Sequence, residues 1–280
     1  MRFSREIVIS SSKRCWQQGR PSTELLPETS HFPMRTEQKQ YGAPRIIGGG
    51  MDPIELLTKA PIFEGLAPPG LEPLRTATRR RSFARGAYLF REGDPGSHLY
   101  MVVEGEVMIG RVGDGGDQVV FAIAGPGEVF GELSLFDDEG ERTADAQALK
   151  PTVCLVIAKA PLLRFLTAQP KLLLRIITSL SVYIRRKDVA MGDVAFLDIS
   201  GRVASKLAEL ADARGRQTVD GVVIDLPLSQ RVLAGMVGAS RENVNRALRR
   251  FSNLGYIRKS PGSITVLDRD RLRHRASSHV

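Results

Sequence analysis

Short apolar runs separated by glycine-rich turns fill the middle of the chain, from about residue 88 to residue 157. Runs of this length, divided by Gly and by Asp-Pro-Gly or Gly-Pro-Gly turns, predict the antiparallel strands of a small β-roll or barrel. The segments that predict strands are 99–103, 106–109, 119–123, 143–148 and 152–157.

A helical period follows, from about residue 161 to residue 197, with an interruption at residues 169–170. In its second part, apolar residues recur at alternating four- and three-residue steps, as a coiled-coil pair requires. We predict a parallel dimer helix here, and a helix that packs only on its own domain is the alternative. The predicted seam, which includes one charged residue, is Leu173, Ile177, Leu180, Ile184, Lys187, Met191 and Val194.

Two helical patterns separated by Gly238 lie in the last quarter of the chain. The first covers residues 229–237, and the second begins at Ser240, a suitable N-cap, and ends near Gly255. The second has one apolar side and one charged side, which favours a helix-turn-helix unit that inserts its second helix into the DNA major groove. A solvated charged helix is the alternative. The apolar side is Val244, Ala247, Leu248, Phe251 and Leu254, and the charged side is Arg241, Glu242, Asn245, Arg246 and Arg249.

The segments around these two helices complete a winged helix-turn-helix. A helix is predicted over residues 200–213 and a strand over residues 222–225. Residues 256–259 and 263–266 predict a β-hairpin wing, because a Pro-Gly turn separates them.

Residues 1–50 are polar, contain four prolines and end in three glycines, so we predict a disordered extension. Structure is expected to begin at Met51, because Asp52 suits an N-cap and Pro53 the first helical position. We also expect Met51 to be the natural start, a hypothesis that a native peptide spanning residues 35–59 would exclude.

The net charge of +9 and the pI of about 9.9 favour a polyanionic partner. Residues 241–275 hold ten Lys or Arg and three Asp or Glu, which gives the patch that phosphate neutralisation needs. Cys15 and Cys154 are too few for a disulfide framework or a cysteine metal cluster. No apolar run is long enough for a membrane span, and the start lacks a signal-peptide core. We therefore expect a cytoplasmic protein.

A second candidate site lies between Gly131 and Thr143. Gly131 permits close backbone approach, Arg142 supplies a forked cation and Thr143 a hydroxyl donor, all of which suit an anion. Glu132 would repel a phosphate but would accept a hydrogen bond from a sugar hydroxyl, so the set suits a nucleotide. A surface turn with an internal Glu132–Arg142 ion pair is the alternative.

These motifs resemble the cyclic-AMP receptor protein and fumarate–nitrate regulator (CRP/FNR) superfamily of bacterial transcription factors. The resemblance extends over residues 51–273 and is carried by residues 131–136 with Arg142 and Thr143, by residues 195–202, and by residues 238–242 with Arg246. It implies an α+β protein with a cyclic-nucleotide-binding β-roll and flanking helices (51–169), a dimerisation helix and hinge (170–198) and a winged helix-turn-helix domain (199–280).

The resemblance also implies roles for individual residues. The cyclic phosphate is expected on Arg142 and Thr143, and the ribose 2′-hydroxyl on Glu132. Arg241, Glu242 and Arg246 are expected at base edges, where Arg suits guanine and Glu suits the cytosine amine. The full ligand set is Gly131, Glu132, Leu133, Ser134, Arg142, Thr143, Lys187 and Asp188, and the full DNA set is Ser229, Ser240, Arg241, Glu242, Asn245, Arg246 and Arg249.

Lys187 and Asp188 depart from the pattern of the superfamily. Cyclic-AMP-responsive members have a Thr-Ser pair at these positions for the adenine, and this chain has two charged residues. They either recognise a different base or ligand, or pair across the dimer and fix its conformation without ligand. A buried lysine without a partner is costly, so Asp188 or a ligand is expected to pair with Lys187.

The resemblance implies a homodimeric, sequence-specific transcription regulator that binds a palindromic operator, contacts RNA polymerase and is gated by a cyclic nucleotide, with cyclic AMP the expected allosteric ligand and no required cofactor. The alternative is a ligand-independent regulator or nucleoid-associated protein. A four-cysteine iron–sulfur sensor is not expected, since only Cys15 precedes the roll. Haem ligation by His98 is not expected either. Neither a catalytic site nor a metal site can be assembled from the four scattered histidines.

Overall fold

Residues 45–46, 51–113, 118–136, 140–224 and 229–277 are described by the structure, which is a computed structural model. Arg45–Ile46 (β1) lies inside the extension predicted to be disordered and pairs with residues 81–82 as a short antiparallel strand. Order therefore begins before Met51, because β1 satisfies an exposed strand edge. The rest of residues 1–50 lies outside the described residues.

The β-roll consists of two antiparallel sheets that face each other. Their orders are β1-β2-β9-β4-β7 and β3-β8-β5-β6. The predicted roll is confirmed. The strands that follow β1 are Thr78–Phe83 (β2), Tyr88–Phe90 (β3), His98–Glu104 (β4), Val107–Val112 (β5), Gln118–Ala124 (β6), Val129–Phe130 (β7), Asp145–Ala148 (β8) and Thr152–Ala158 (β9).

Side chains from both sheets form the core of the roll. Phe90, Tyr100 and Phe130 make one aromatic cluster, with ring centroids 5.3–6.1 Å apart. Cys154 lies in the same core, and burial raises the pKa of its thiol to about 12. This cysteine therefore behaves as a small apolar side chain.

Helices cover one end of the roll. Pro53–Leu57 (α1) begins at the predicted cap, since the Asp52 carboxylate accepts from the Ile54 amide at 3.0 Å. Two further helices, Pro68–Leu71 (α2) and Lys159–Thr167 (α3), lie at the same end of the roll. Together with two 3₁₀ turns they bury an aliphatic core against β4 and β9.

The long helix Pro170–Phe196 (α4) confirms the predicted helix, but its predicted seam is divided between two surroundings. Leu173 and Leu180 pack on the core of the roll. The remaining apolar seam residues are more than half exposed. They are Ile177 (58%), Ile184 (57%), Met191 (71%) and Val194 (59%).

The C-terminal domain is a winged helix-turn-helix, as predicted. Its sheet has the order β10-β11-β13-β12. Leu254 is a correction: it is 48% exposed, because it is the C-cap residue and lies beyond the part of the helix that packs on the domain core. The elements are Ile199–Arg214 (α5), Arg216–Thr218 (β10), Gly221–Ile224 (β11), Gln230–Val237 (α6), Arg241–Asn253 (α7), Ile257–Ser260 (β12), Ser263–Val266 (β13) and Arg269–Ser277 (α8).

Helix α6 is buried on two sides. Leu233 and Val237 face the core of the winged domain, whereas Val232 packs on Met108, Val120 and Ile123 of the roll. The winged domain therefore docks on strands β5 and β6.

Gly235 permits this close approach. A Cβ atom built on it would lie 2.6 Å from the carbonyl oxygen of Gln118 in β6, which is closer than real Cβ atoms come to backbone. No side chain larger than hydrogen fits between α6 and β6 at this point.

Strand β6 is an edge strand of its sheet, and cations from two helices bind its outer carbonyls. Lys187 of α4 donates to the carbonyl of Phe121 at 3.1 Å. Arg214 of α5 donates to the carbonyl of Ile123 and also pairs with Glu128. The edge is thereby satisfied by the long helix α4 and by the first helix of the winged domain.

The docking of α6 predicts opposite effects for two Gly→Ala substitutions. Gly192 lies in α4 with nothing within 4 Å of a built Cβ, so Gly192→Ala should raise the free energy of unfolding by up to about 1 kcal/mol through helix propensity. Gly235→Ala should lower it by about 1–3 kcal/mol through overpacking on β6. Denaturant unfolding of both variants measures this, and a stabilised Gly235→Ala protein would contradict the docked arrangement.

Candidate functional site

A cavity of about 510 Å³ lies between the roll and helix α4. Its walls are β6, the turn at residues 131–136, the segment 142–144 and one side of α4. The volume lies in the range of small-molecule pockets. The structure thus brings six predicted ligand residues to one cavity, namely Gly131, Glu132, Leu133, Ser134, Arg142 and Thr143.

Arg142 is held in the cavity wall by backbone oxygens. Its Nη1 donates to the Gly131 carbonyl at 2.8 Å and to the Ser134 hydroxyl at 2.9 Å, and its Nη2 donates to the His98 carbonyl at 2.6 Å. The guanidinium carbon lies 4.1 Å from the centre of the Phe90 ring. Burial lowers the pKa of this guanidinium from its ordinary value, but the group stays charged.

Three of the five N–H donors of Arg142 are engaged in these hydrogen bonds, and one nitrogen has no partner at all. Its Nε is buried and has no hydrogen-bond partner. Gly131 has a φ of 81°, and a Cβ there would come within 2.6 Å of Arg142 Nη1, so glycine is required next to the guanidinium. The cavity wall therefore contains a fixed guanidinium whose buried Nε has no partner.

Glu132 lies beside Arg142 without pairing with it. No ion pair joins these two described residues, so the predicted alternative of an internal Glu132–Arg142 ion pair is wrong. Burial raises the pKa of the Glu132 carboxyl, and hydrogen bonding to its own amide and the charge of Arg142 oppose this only in part. A half-buried carboxylate that makes no ion pair is available to accept a hydrogen bond from a ligand hydroxyl.

The other residues of the turn have different environments. Ser134 is buried and orients Arg142, so its hydroxyl is already engaged. Thr143 is exposed and lines the cavity. Leu133 and Phe136 are exposed at the same cavity and give it an apolar rim.

Lys187 and Asp188 are not where the sequence predicted them. Lys187 does not line the cavity, and its ammonium bonds the Phe121 carbonyl and lies 5.0 Å from the centre of the Tyr183 ring. Burial lowers the pKa of Lys187, and the charge of Lys206 lowers it further. Asp188 is exposed and does not pair with Lys187. The expected partner of Lys187 is thus a backbone carbonyl, because an edge strand presents one there.

Residues of α4 that sequence reasoning missed line the cavity instead. Thr178, Ser179 and Tyr183 face it from positions one to two turns before Lys187. Their hydroxyl groups could have marked these residues as candidates for ligand contact, but the heptad pattern considers only apolar positions. Which turn of α4 faces the pocket depends on how the helix packs on the roll.

Helix α7 is amphipathic as predicted. Val244, Ala247, Leu248 and Phe251 are buried in the domain core. The predicted DNA residues Arg241, Glu242, Arg246 and Arg249 are exposed, and Asn245 is half-buried.

Ser240 caps α7, since its hydroxyl accepts from the Asn243 amide at 3.3 Å. The Glu242 amide and the Ser240 hydroxyl lower the pKa of the Glu242 carboxyl, which keeps it ionised at the helix start. Ser229 caps α6 in the same way, with the Val232 amide at 3.2 Å.

A side chain of α5 holds the turn between α6 and α7 in place. Gly238 has a left-handed conformation with φ of 60°. Arg202 Nη1 donates to the Val237 carbonyl at 2.8 Å and to the Gly238 carbonyl at 3.2 Å. The angle between the two helices is therefore set by backbone contacts to α5.

A second cleft, of about 500 Å³, lies between the start of α6, the start of α7 and the wing. It contains the predicted residues Ser229 and Arg241 and two cations that sequence reasoning missed, Arg231 and Lys259. Among the described residues, no group of three His, Cys, Asp or Glu side chains is placed to hold a metal ion. None of the helices in those ranges is long and apolar enough to cross a bilayer.

Comparisons with known proteins match both halves of this arrangement. Residues 80–169 match the family "Cyclic nucleotide-binding domain", and residues 201–275 match the family "Crp-like helix-turn-helix domain". The chain is 35% identical over 222 residues to the CRP-like cAMP-activated global transcriptional regulator of Mycobacterium tuberculosis, and the match covers 79% of this chain and 99% of that protein.

Two further relatives have different effectors in their names. The cyclic AMP receptor protein of Thermus thermophilus is 33% identical over 207 residues, with 74% of this chain and 92% of that protein covered. The solved structure of the c-di-GMP responsive global regulator CLP of Xanthomonas campestris aligns with a TM-score of 0.61 and 25% identity, with 71% of this chain and 99% of that chain covered.

The fold and the two matched domains define a transcriptional regulator with a cyclic-nucleotide-binding domain and a DNA-binding helix-turn-helix. The chain belongs to the CRP/FNR superfamily, which confirms the resemblance seen in the motifs. The α+β fold predicted from the sequence is confirmed by the same matches.

The environment of Glu132 predicts a pH-dependent effect of Glu132→Gln in the ligand-free protein. Because the pKa of this carboxyl is raised in the folded state, ionisation destabilises the fold as pH rises past the ordinary value of 4.5. Glu132→Gln should therefore raise Tm at pH 7, and the difference should vanish at pH 4. Thermal unfolding measures this, with the exposed Glu55→Gln as control; a Tm change of equal size at both pH values would contradict it.

Proposed function

We propose that this protein is a homodimeric, sequence-specific transcription regulator whose DNA affinity is gated by a cyclic nucleotide. The observation that carries the gating is the unpartnered Nε of Arg142 in the wall of a nucleotide-sized cavity. Strand β6 forms another wall of that cavity, and it also packs against α6 of the helix-turn-helix.

In this proposal the cyclic phosphate binds at Arg142, and the Thr143 hydroxyl donates to it. Glu132 accepts from the ribose 2′-hydroxyl, which gives its half-buried carboxylate a hydrogen-bond partner. The base lies toward Thr178, Ser179 and Tyr183 of α4. Occupancy of the cavity is transmitted through β6, because the same strand supports α6.

Cyclic AMP is the first ligand to test, since a relative that is 35% identical is named as cAMP-activated. The structural neighbour named as c-di-GMP responsive makes cyclic dinucleotides the second. No further cofactor is proposed.

A ligand-independent regulator, including a nucleoid-associated protein, is the second candidate. The observation that favours it is the pair of cations, one from α4 and one from α5, that donate to carbonyls of β6. Lys187 and Arg214 bond the Phe121 and Ile123 carbonyls, and these contacts within the protein itself hold β6 against α4 and α5.

The dimer is proposed to form through the exposed apolar side of α4. Ile177, Ile184 and Met191 repeat every seven residues on this side, and a second copy of α4 would cover them. Asp188 falls on the same side by helical spacing, where it would lie near the partner helix. The two copies of α7 then bind the two half-sites of a palindromic operator, whose centres are about 34–36 Å apart. Contact with RNA polymerase is part of the proposal.

The dimer proposal predicts that Ile184→Asp yields a monomer at micromolar concentration, because a buried unpaired carboxylate would face the partner. Ala190→Asp introduces the same charge at an exposed position on another side of α4 and should leave the dimer intact. Sedimentation equilibrium of the three proteins measures this. A monomeric wild-type protein, or an unaltered Ile184→Asp dimer, would exclude α4 as the dimer helix.

The gating proposal predicts that cyclic nucleotide changes the affinity of the wild-type protein for a symmetric operator and that Arg142→Lys removes this change. Lysine cannot keep the forked contacts to Gly131 and His98 while it also binds phosphate, so nucleotide affinity should fall by about 10–100-fold. Titration calorimetry and a nucleotide-dependent mobility shift measure it, with the exposed Arg79→Lys as control.

Basal DNA affinity should be the same in the Arg142→Lys and wild-type proteins. No heat and no altered shift with cyclic AMP, cyclic GMP or c-di-GMP would reject gating by these ligands. DNA binding itself would then support the ligand-independent candidate.

A further inference from the structure

Gln230 is the first residue of α6 and extends its side chain to the exposed side of α7. Its Oε1 accepts from Asn245 Nδ2 at 2.7 Å and lies 3.4 Å from Arg241 Nε. Arg241 and Asn245 are four residues apart, so they are neighbours on one side of the helix. One amide oxygen therefore contacts both side chains.

The fixed turn geometry makes this contact possible. Ser229 caps α6, and Arg202 holds the carbonyls of Val237 and Gly238, so the start of α6 is held near the first turn of α7. Gln230 could not be identified from the sequence alone, because the contact joins two helices.

We propose that Gln230 is a positioning residue for DNA recognition, which holds Arg241 and Asn245 so that they contact neighbouring bases as one unit. This inference rests on the proposed DNA-binding function. Gln230 itself is not required to touch a base.

The chemistry of the two side chains supports this role. With Arg241 Nε directed to Gln230, the two terminal Nη groups remain for the paired acceptors N7 and O6 of a guanine. With one Nδ2 hydrogen of Asn245 engaged, its other hydrogen and Oδ1 remain for the donor–acceptor edge of an adenine. Gln230 therefore selects one orientation for each side chain.

Holding Arg241 and Asn245 in place before binding affects the preference for the operator over other sequences more than it affects affinity for DNA in general. An arginine that is held before binding loses less side-chain freedom when it meets its base. Gln230 is neutral and displaces no counterions, so it should contribute little to binding of random DNA. Arg231, the next residue, is an exposed cation in the same cleft and should behave in the opposite way.

The experiment uses full-length protein and an operator that the wild-type protein selects from random duplexes. Affinity is measured for this operator, for operators with one base pair changed and for a random duplex, each at several salt concentrations. The variants are Gln230→Ala, Gln230→Glu, Arg231→Ala, Asn245→Ala and the double variant Gln230→Ala with Asn245→Ala. Thermal unfolding establishes that each variant is folded.

Gln230→Ala is expected to reduce the preference for the operator over singly changed sites by about 5-fold or more, and to change affinity for random DNA by less than about 2-fold. Gln230→Glu keeps an acceptor oxygen, so it should retain most of the preference while its charge weakens binding to all DNA. Arg231→Ala should weaken binding to all sequences, lower the salt slope by about 1 and keep the preference.

Asn245→Ala should have a smaller effect in the Gln230→Ala background than in the wild-type protein, because the two act together. An unchanged preference in Gln230→Ala, or additive effects in the double variant, would overturn the positioning role. If the wild-type protein does not distinguish its selected operator from random DNA, the proposed DNA recognition fails first, and the inference fails with it.

Discussion

The outer edge of strand β6 is the place on which the arrangement of this protein depends. An edge strand presents carbonyl groups that its sheet leaves unpaired, and these must be satisfied from elsewhere. Here Lys187 of the long helix α4 and Arg214 of α5, the first helix of the winged domain, satisfy two of them. Helix α6 packs on the same strand through Val232. The requirement to satisfy one strand edge therefore brings the pocket, the long helix α4 and the DNA-binding domain together.

In the cavity, Arg142 stabilises the fold and is also the proposed binding residue for the ligand. The two Nη groups of Arg142 donate to backbone oxygens of the roll, and these hydrogen bonds position the guanidinium. Its Nε has no hydrogen-bond partner. Glu132 is half-buried beside it and makes no ion pair with it. These two groups have opposite charges and separate tasks, which suits a ligand that carries both an anion and a hydroxyl.

Elements with a strong period could be predicted from the sequence, and elements whose stability comes from neighbours could not. The 3.6-residue period of α7 identified its buried side correctly up to Phe251. Strand β2 contains three consecutive arginines, so only its pairing with β9 shows it to be a strand. Helix α8 has one buried residue, Leu272, and gives no apolar period. Lys187 was misplaced because its partner, a carbonyl of β6, has no signature in the sequence.

The two buried sides of α6 also limit how freely the domains can be exchanged. A winged domain cut from this chain and joined to an unrelated roll would carry Val232 and Met236 into water, and Gly235 would face nothing. Such a hybrid would expose an apolar patch that invites association. The winged domain is thus complementary to the surface of its own β-roll, and an unrelated roll would not provide the same contacts.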